Sequence, residues 1–217
     1  MKPILFNTEM VRAILEGRKT VTRRVVKPQP TFFYTYGGRI PDPDNPDNIA
    51  FLAMSEKNGK DTEEIFVSPY QTGDILYVRE TFFEHKNHFY YKADGKHEVL
   101  AMLGITFKWR PSIHMPSKAA RILLRVKEVR VERLQDITEL DILEKEGLTV
   151  DFPQPKPTYM SLAYTETRLK PAVRKAFANL WNSTVKVKDR MLYGWAANPW
   201  VWVIEFERCE KPKEVTP

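Results

Sequence analysis

Gly17-Arg18-Lys19-Thr20-Val21-Thr22-Arg23-Arg24 joins a pattern of helical period to one of strand period, and the fold reads outward from that junction. Upstream, Met10, Val11, Ile14 and Leu15 fall on one stripe of a helix that Asn7 or Thr8 caps. Gly17 suits the left-handed residue that ends it. Downstream, Thr20 to Val26 is rich in β-branched residues and predicts a strand or extended segment. The octet holds four cations and two hydroxyls, so it marks a site for an anionic or polar partner. Residues 1–27 carry seven Lys/Arg against Glu9 and Glu16, most of the formal net charge of +6.

Farther along, Thr72-Gly73-Asp74 turns into Ile75 to Phe82, a strand whose outward end carries Arg79 and Glu80. Phe89 to Lys92 and His97 to Leu100 flank an Asp94-Gly95 pair, a hairpin signal. In Ala120 to Val131 the residues Ile122, Leu124 and Val126 alternate with Arg121, Leu123, Arg125 and Lys127, which predicts a half-buried strand. Thr138-Glu139-Leu140-Asp141 resembles a capping box opening a short helix that Gly147 closes, with Glu146 on its last turn against the helix dipole. A Pro-rich loop surrounds residues 152–157, and Pro171 opens a further helix through Trp181. Trp200 to Phe206 is apolar on both faces and belongs in the centre of a sheet. Pro41 to Asn48 holds neither a helix nor an inner strand, so residues 30–70 read as a surface insertion. The sum is α+β: a single domain over 1–210 with a tail at 211–217, built as a mixed, largely antiparallel β-barrel with peripheral short helices.

Composition bounds the partners. Charged residues at 29% and aromatics at 12% of 217 residues, with a mean hydropathy of −0.45, describe a soluble globular chain. No apolar run reaches the roughly 18 residues of a membrane span, and the start Met1 to Phe6 is too short for a signal peptide. One cysteine, Cys209, and four scattered histidines give no disulfide and no zinc-ligand spacing. A cytoplasmic protein without metal or cofactor is expected. The pI of about 9.3 points to an anionic partner, nucleic acid first. Charge is segregated: residues 108–133 carry eight Lys/Arg against two Glu, and residues 30–70 carry seven acids against three bases.

Gly17, Lys19 and Arg24, spaced Gly-x-Lys-x-x-x-x-Arg after an N-terminal helix, resemble the signature of the ASCH domain, a β-barrel family similar to the PUA fold. Thr72 to Thr81 resembles that family's second strand motif, Trp200 to Phe206 its last strand, and Lys108 to Pro116 a segment of its phage and prophage members. The likeness spans about Lys2 to Glu207. It implies binding of RNA, a nucleoside or a nucleotide, and similarity to the small bacterial amidohydrolases that deacetylate N4-acetylcytidine. Carried over, their catalytic Lys, Thr and Glu fall on Lys19, Thr22 and Glu146, with Glu144 and Glu80 as alternatives for the last.

In that chemistry Thr22 attacks the amide, Lys19 takes its proton, and Glu146 orients the amine or protonates the leaving group. Desolvation and the neighbouring Arg18, Arg23 and Arg24 would depress the Lys19 pKa. Arg24 would hold an anion or tie the motif to an acid such as Asp74. Lys19 and Thr22 are three apart, so in a regular strand they face oppositely and converge only if the chain turns between them. The competing readings are an exposed strand lysine, a threonine chosen for strand propensity and a solvated helical glutamate. A basic cleft formed by Gly17 to Arg24, Tyr77, Arg79, Glu80, Trp109 and Arg110 is the expected ligand site, with Trp195 a further candidate for base stacking. Two other classes stay open. One is a phage accessory protein recruiting a partner through residues 40–50; the other is a ribonuclease, for which the sequence offers no carboxylate cluster.

Overall fold

The computed structural model describes residues 1–34, 39–45, 48–95, 97–102, 104, 106–149 and 169–211. The Pro-rich loop around 152–157 lies outside the described residues, as do positions 46 and 47 of the 40–50 segment and the end of the expected tail.

Strand β1 (Lys2–Leu5) leads into helix α1 (Thr8–Leu15), where the Asn7 side chain accepts a 2.8 Å bond from the Met10 amide. Val11, Ala13 and Ile14 are its buried stripe. Gly17 follows at φ 75°, and the amides of Arg18 and Lys19 both reach back to the Ala13 carbonyl. The chain thus leaves the helix in a tight reversal and enters β2 (Val21–Val25).

Five strands form the main sheet in the order β1, β7 (Ile75–Arg79), β10 (Leu123–Arg133), β11 (Trp200–Cys209), β2. β1 pairs with β7 in parallel and the other neighbours are antiparallel. Among the described residues this pairing is an open path with β2 at one edge, so the expected barrel closure is not seen. β10 keeps the predicted alternation through Val126, then a bulge before Glu128 resets it so that Val129 is buried.

The interior position of β11, between β10 and the edge strand β2 and not at the centre of the sheet, leaves both of its faces covered. Trp200, Trp202, Ile204 and Phe206 join one core, and Val201 and Val203 join another built with Ile142 of α3 (Glu139–Glu144) and with Val173, Phe177 and Trp181 of α4 (Lys170–Thr184). The first core is closed by a second sheet. β5 (Ile49–Lys57) pairs along one edge with β3 (Phe32–Phe33) and β4 (Arg39–Pro41), and along the other with β6 (Lys60–Val67). Phe33 packs edge-on to Trp200 at 5.1 Å between ring centres, and Phe51 lies 5.4 Å from Trp202. Residues 30–70 therefore supply Phe33, Phe51, Ala53 and Phe66 to that core rather than only a surface decoration, a role their prolines and acids hid.

The hairpin expected around Asp94-Gly95 is displaced. β9 (His88–Tyr91) pairs instead with β8 (Phe82–His85), across a two-residue turn in which Lys86 and Asn87 both take positive φ. Gly95 ends a short 3₁₀ turn, and His97–Met102 is helix α2. The turn signal was real, but the chain spends it on a helix end. The last short helix, α5 (Arg190–Tyr193), precedes β11. No helix among the described residues is long and apolar enough to cross a membrane.

Candidate functional site

Two chain reversals meet at the free edge of β2. After α3, capped by Thr138, the amides of Lys145 and Glu146 both bond the Asp141 carbonyl, and Gly147 takes φ 69°. Glu146 therefore lies beyond the helix and not on its last turn. There it forms an antiparallel bridge with Lys19, while the amides of Thr20 and Val21 bond the Lys145 carbonyl at 2.9 and 3.1 Å. Arg18 clamps the junction by donating to the Gly147 carbonyl at 2.6 Å and to Glu16. A Cβ on Gly147 would stand 2.7 Å from that of Ala13 and 3.0 Å from that of Lys19. Only glycine permits this approach.

The reversal delivers Lys19 and Thr22 to the same side despite their odd spacing. Lys19, Thr22 and Glu146 are 3%, 4% and 5% exposed, neither strand-surface lysine nor solvated glutamate. Lys19 Nζ stands 2.5 Å from Glu146 Oε2 and 3.3 Å from the Glu146 carbonyl. The other carboxylate oxygen accepts from Arg23 at 2.6 Å, and Arg23 also donates to Glu132 at 2.8 Å. Burial pushes the Lys19 ammonium below its ordinary 10.5; Glu146 opposes the shift, while Arg24 and Arg23 add to it.

These groups border a cavity of about 40 Å³ with Thr22, Lys19, Arg23, Arg24, Glu146 and Thr184 as its polar lining and Met10, Phe177, Leu180 and Trp181 as its apolar lining. At roughly 10–15 Å³ per water, it has room for about three waters or one small acyl group. Arg23, Arg24, Trp181 and Thr184 also border a cleft of about 400 Å³ lined by Lys27, Lys186 and Tyr193. Arg24 and Lys27 border a third hollow, about 810 Å³, that reaches Lys57, Glu63 and Glu64. Arg24 is thus the residue common to all three.

Arg24 has partners outside the cavity as well, and several other expected members lie elsewhere. Arg24 is held by the Leu5 carbonyl at 2.7 Å and lies over the Phe6 ring, whereas Asp74 pairs with Lys2. Its guanidinium is lowered chiefly by burial. Glu80 is not at an outward end: it is 1% exposed and grips Arg121 through both oxygens, at 2.9 and 3.0 Å. Burial raises the Glu80 pKa and Arg121 opposes that rise. Glu144 is exposed. Glu146 is thus the glutamate that meets Lys19. Tyr77 lines a separate hollow with Arg121 and Lys118, and Arg79 donates to the Ile113 carbonyl. Trp109 packs on Phe83 and Phe107, Arg110 lies over Phe82, and Trp195 packs on Phe177. None of Tyr77, Arg79, Glu80, Trp109 or Arg110 lines the Lys19 cavity.

Sequence reading missed Arg23 as a second partner of Glu146, counted Lys27 only within the basic N-terminal corner, and missed Lys186 and Tyr193. The signal for the last two was the basic and apolar run after α4. Comparison with models of protein families, with curated proteins and with solved structures finds no match.

Proposed function

We propose that this chain is an ASCH-type protein that binds an N4-acylated cytidine and hydrolyses its amide at Lys19, Thr22 and Glu146. The observation that carries the reading is the buried Lys19–Glu146 pair at 2.5 Å on a cavity shared with Thr22. The family assignment draws on the order of its motifs: the first ends α1 and begins β2, the second lies on β7, and the third is the interior strand β11, the three strands sharing one sheet. A PUA-like barrel remains the proposed parentage of that sheet.

The acyl group enters the small cavity while base and sugar occupy the wider cleft. Passage of the Lys19 proton to Glu146 along their hydrogen bond leaves a neutral amine beside the Thr22 hydroxyl. Lys19 takes the hydroxyl proton as Oγ1 attacks the acyl carbon, and Arg23 and Arg24 supply positive charge near the developing oxyanion. Collapse breaks the C–N bond, and the proton held by Glu146 goes to the departing exocyclic nitrogen. The proton on Lys19 passes once more to Glu146, the neutral amine takes a proton from water as its oxygen attacks the Thr22 ester, and Glu146 returns its proton to Thr22 Oγ1 as the ester C–O bond breaks. The products are the carboxylate and cytidine.

The test is release of cytidine and acetate from N4-acetylcytidine by the purified protein, followed by chromatography. Turnover is expected in the wild type and its loss in Lys19→Ala. Intact substrate after prolonged incubation with folded wild type would refute the hydrolase reading.

A further inference from the structure

Strand β6 ends the second sheet. The Leu52 and Met54 carbonyls of β5 accept from Tyr34 and Thr31 on the β3 side, so β5 turns Phe51, Ala53 and Ser55 toward β6, opposite Phe66, Glu64 and Thr62. In an antiparallel ladder the bonding direction alternates along each strand. The backbone N–H and C=O groups of Asp61, Glu63, Ile65 and Val67 therefore point away from β5, and no strand pairs with them among the described residues. Side chains sort by the same alternation: Phe66 lies in the core, whereas Ile65 is 45% and Val67 41% exposed on the outer face. The pairings of Phe32 with Met54, Met54 with Glu63 and Leu52 with Ile65 put Phe32, Met54 and Leu52 on that face too. Free edges are normally blunted by charge, proline or a bulge. Asp61 and Glu63 charge the first half of this edge, but Ile65 and Val67 leave the second half bare, and the register from Lys57–Lys60 to Ala50–Val67 runs without a bulge.

Glu63 to Val67 line the hollow of about 810 Å³ together with Arg24 and Val25 of β2, so there is room for a chain beside the unpaired edge. The cations of that hollow are already engaged: Lys57 with Glu64, Arg24 with the Leu5 carbonyl, and Lys27 over the Tyr193 ring. Asp61 and Glu63 have no cationic partner among the described residues; Glu63 accepts only from the Tyr34 hydroxyl, at 3.0 Å. We infer that β6 takes up an extended segment of a protein partner as an added antiparallel strand, with apolar side chains beside Val67 and Ile65 and Lys or Arg beside Glu63 and Asp61. Main-chain bonds to the four outward residues give such a strand its affinity, and its alternate side chains give specificity. Charge selects against other occupants. A nucleic acid would bring phosphates against two unpaired acids, and a second copy of this chain joined through β6 would bring acids and no cation to the shared face. The inference does not depend on hydrolysis at Lys19.

The probe is a fluorescein-labelled peptide, Thr-Val-Thr-Ile-Thr-Lys-Thr-Lys-Thr, titrated with the full chain by fluorescence anisotropy. Its Val and Ile are placed for Val67 and Ile65, and its two Lys for Glu63 and Asp61. N-methylation at Ile and at the first Lys removes amides aimed at β6 and should weaken binding at least about tenfold. N-methylation at the two Thr flanking Ile, whose amides face away from β6, should leave binding within about twofold. Asp61→Lys with Glu63→Lys should weaken the lysine peptide about fivefold and favour the same peptide carrying Glu at both Lys positions. Ile65→Thr with Val67→Thr should weaken binding severalfold, with thermal melts showing both double variants folded. No saturable binding below about 1 mM would overturn the inference. Equal binding of the two N-methylated peptides, or a lysine peptide bound as well by Asp61→Lys with Glu63→Lys as by wild type, would overturn it too. Dimerisation in sedimentation that Ile65→Thr with Val67→Thr abolishes, without peptide binding, would assign the edge to a second copy and defeat the protein-partner reading.

Discussion

Lys19 is unusual because three effects act on one ammonium: burial, an adjacent carboxylate and two guanidinium groups. Burial is the largest and lowers its pKa. In the proposed cycle the Lys19–Glu146 pair must hold the one proton that passes between them, so kcat/KM for N4-acetylcytidine should fall with rising pH along a limb whose midpoint lies below 10.5, as Lys19 gives that proton up to solvent. A midpoint at or above the ordinary lysine value would contradict that role. Linkage gives a second readout. The folded chain releases this proton at lower pH than the unfolded chain, so the unfolded state binds more protons between the two pKa values. Stability should therefore gain with pH across that window, relative to Lys19→Met, in chemical denaturation. Lys19→Met also leaves Glu146 with Arg23 as its charged partner, and breaking the buried pair should cost about 3 kcal/mol.

At the scale of elements, the site exists because the exits of α1 and α3 are pressed together. Gly147 and Gly95 have almost the same φ, 69° and 68°, yet their surroundings differ. A Cβ at Gly95 meets only the tip of Arg12 at 4.0 Å, whereas one at Gly147 strikes Ala13 at 2.7 Å. Gly95→Ala should cost about 1–2 kcal/mol from the left-handed backbone alone. Gly147→Ala adds overpacking and should cost about 2–4 kcal/mol, with loss of activity because Lys19 is displaced. Thermal melts of the two variants test the difference. The sequence made the α1 exit legible through Gly17 and the octet, and the α3 exit through Gly147. It could not reveal that the two face each other, since residues more than a hundred positions apart meet only through the sheet that carries them. Glu146 looked helical for that reason.

The main sheet is covered on one face by α3 and α4 and on the other by α1 and the second sheet, and its interior strand β11 was legible from its two apolar faces. The second sheet was not. Its prolines and acids mark turns and exposed edges, and they obscured Phe33, Phe51 and Phe66, whose contacts with Trp200 and Trp202 only the fold creates. Phe33→Ala should cost about 3–5 kcal/mol and shift tryptophan emission to the red; a loss below about 1 kcal/mol would mean the insertion is dispensable to the core. The same architecture sets Thr22 on an edge strand, where the residue borders the cavity while its backbone stays anchored to β11. The most direct test of the proposed chemistry is single-turnover deacetylation of N4-acetylcytidine by Thr22→Val beside the wild type, in protein matched for thermal stability. The expected result is a rate lowered by about 10³-fold or more with the fold intact. A Thr22→Val rate within about tenfold of wild type would contradict the assignment of Thr22 as nucleophile.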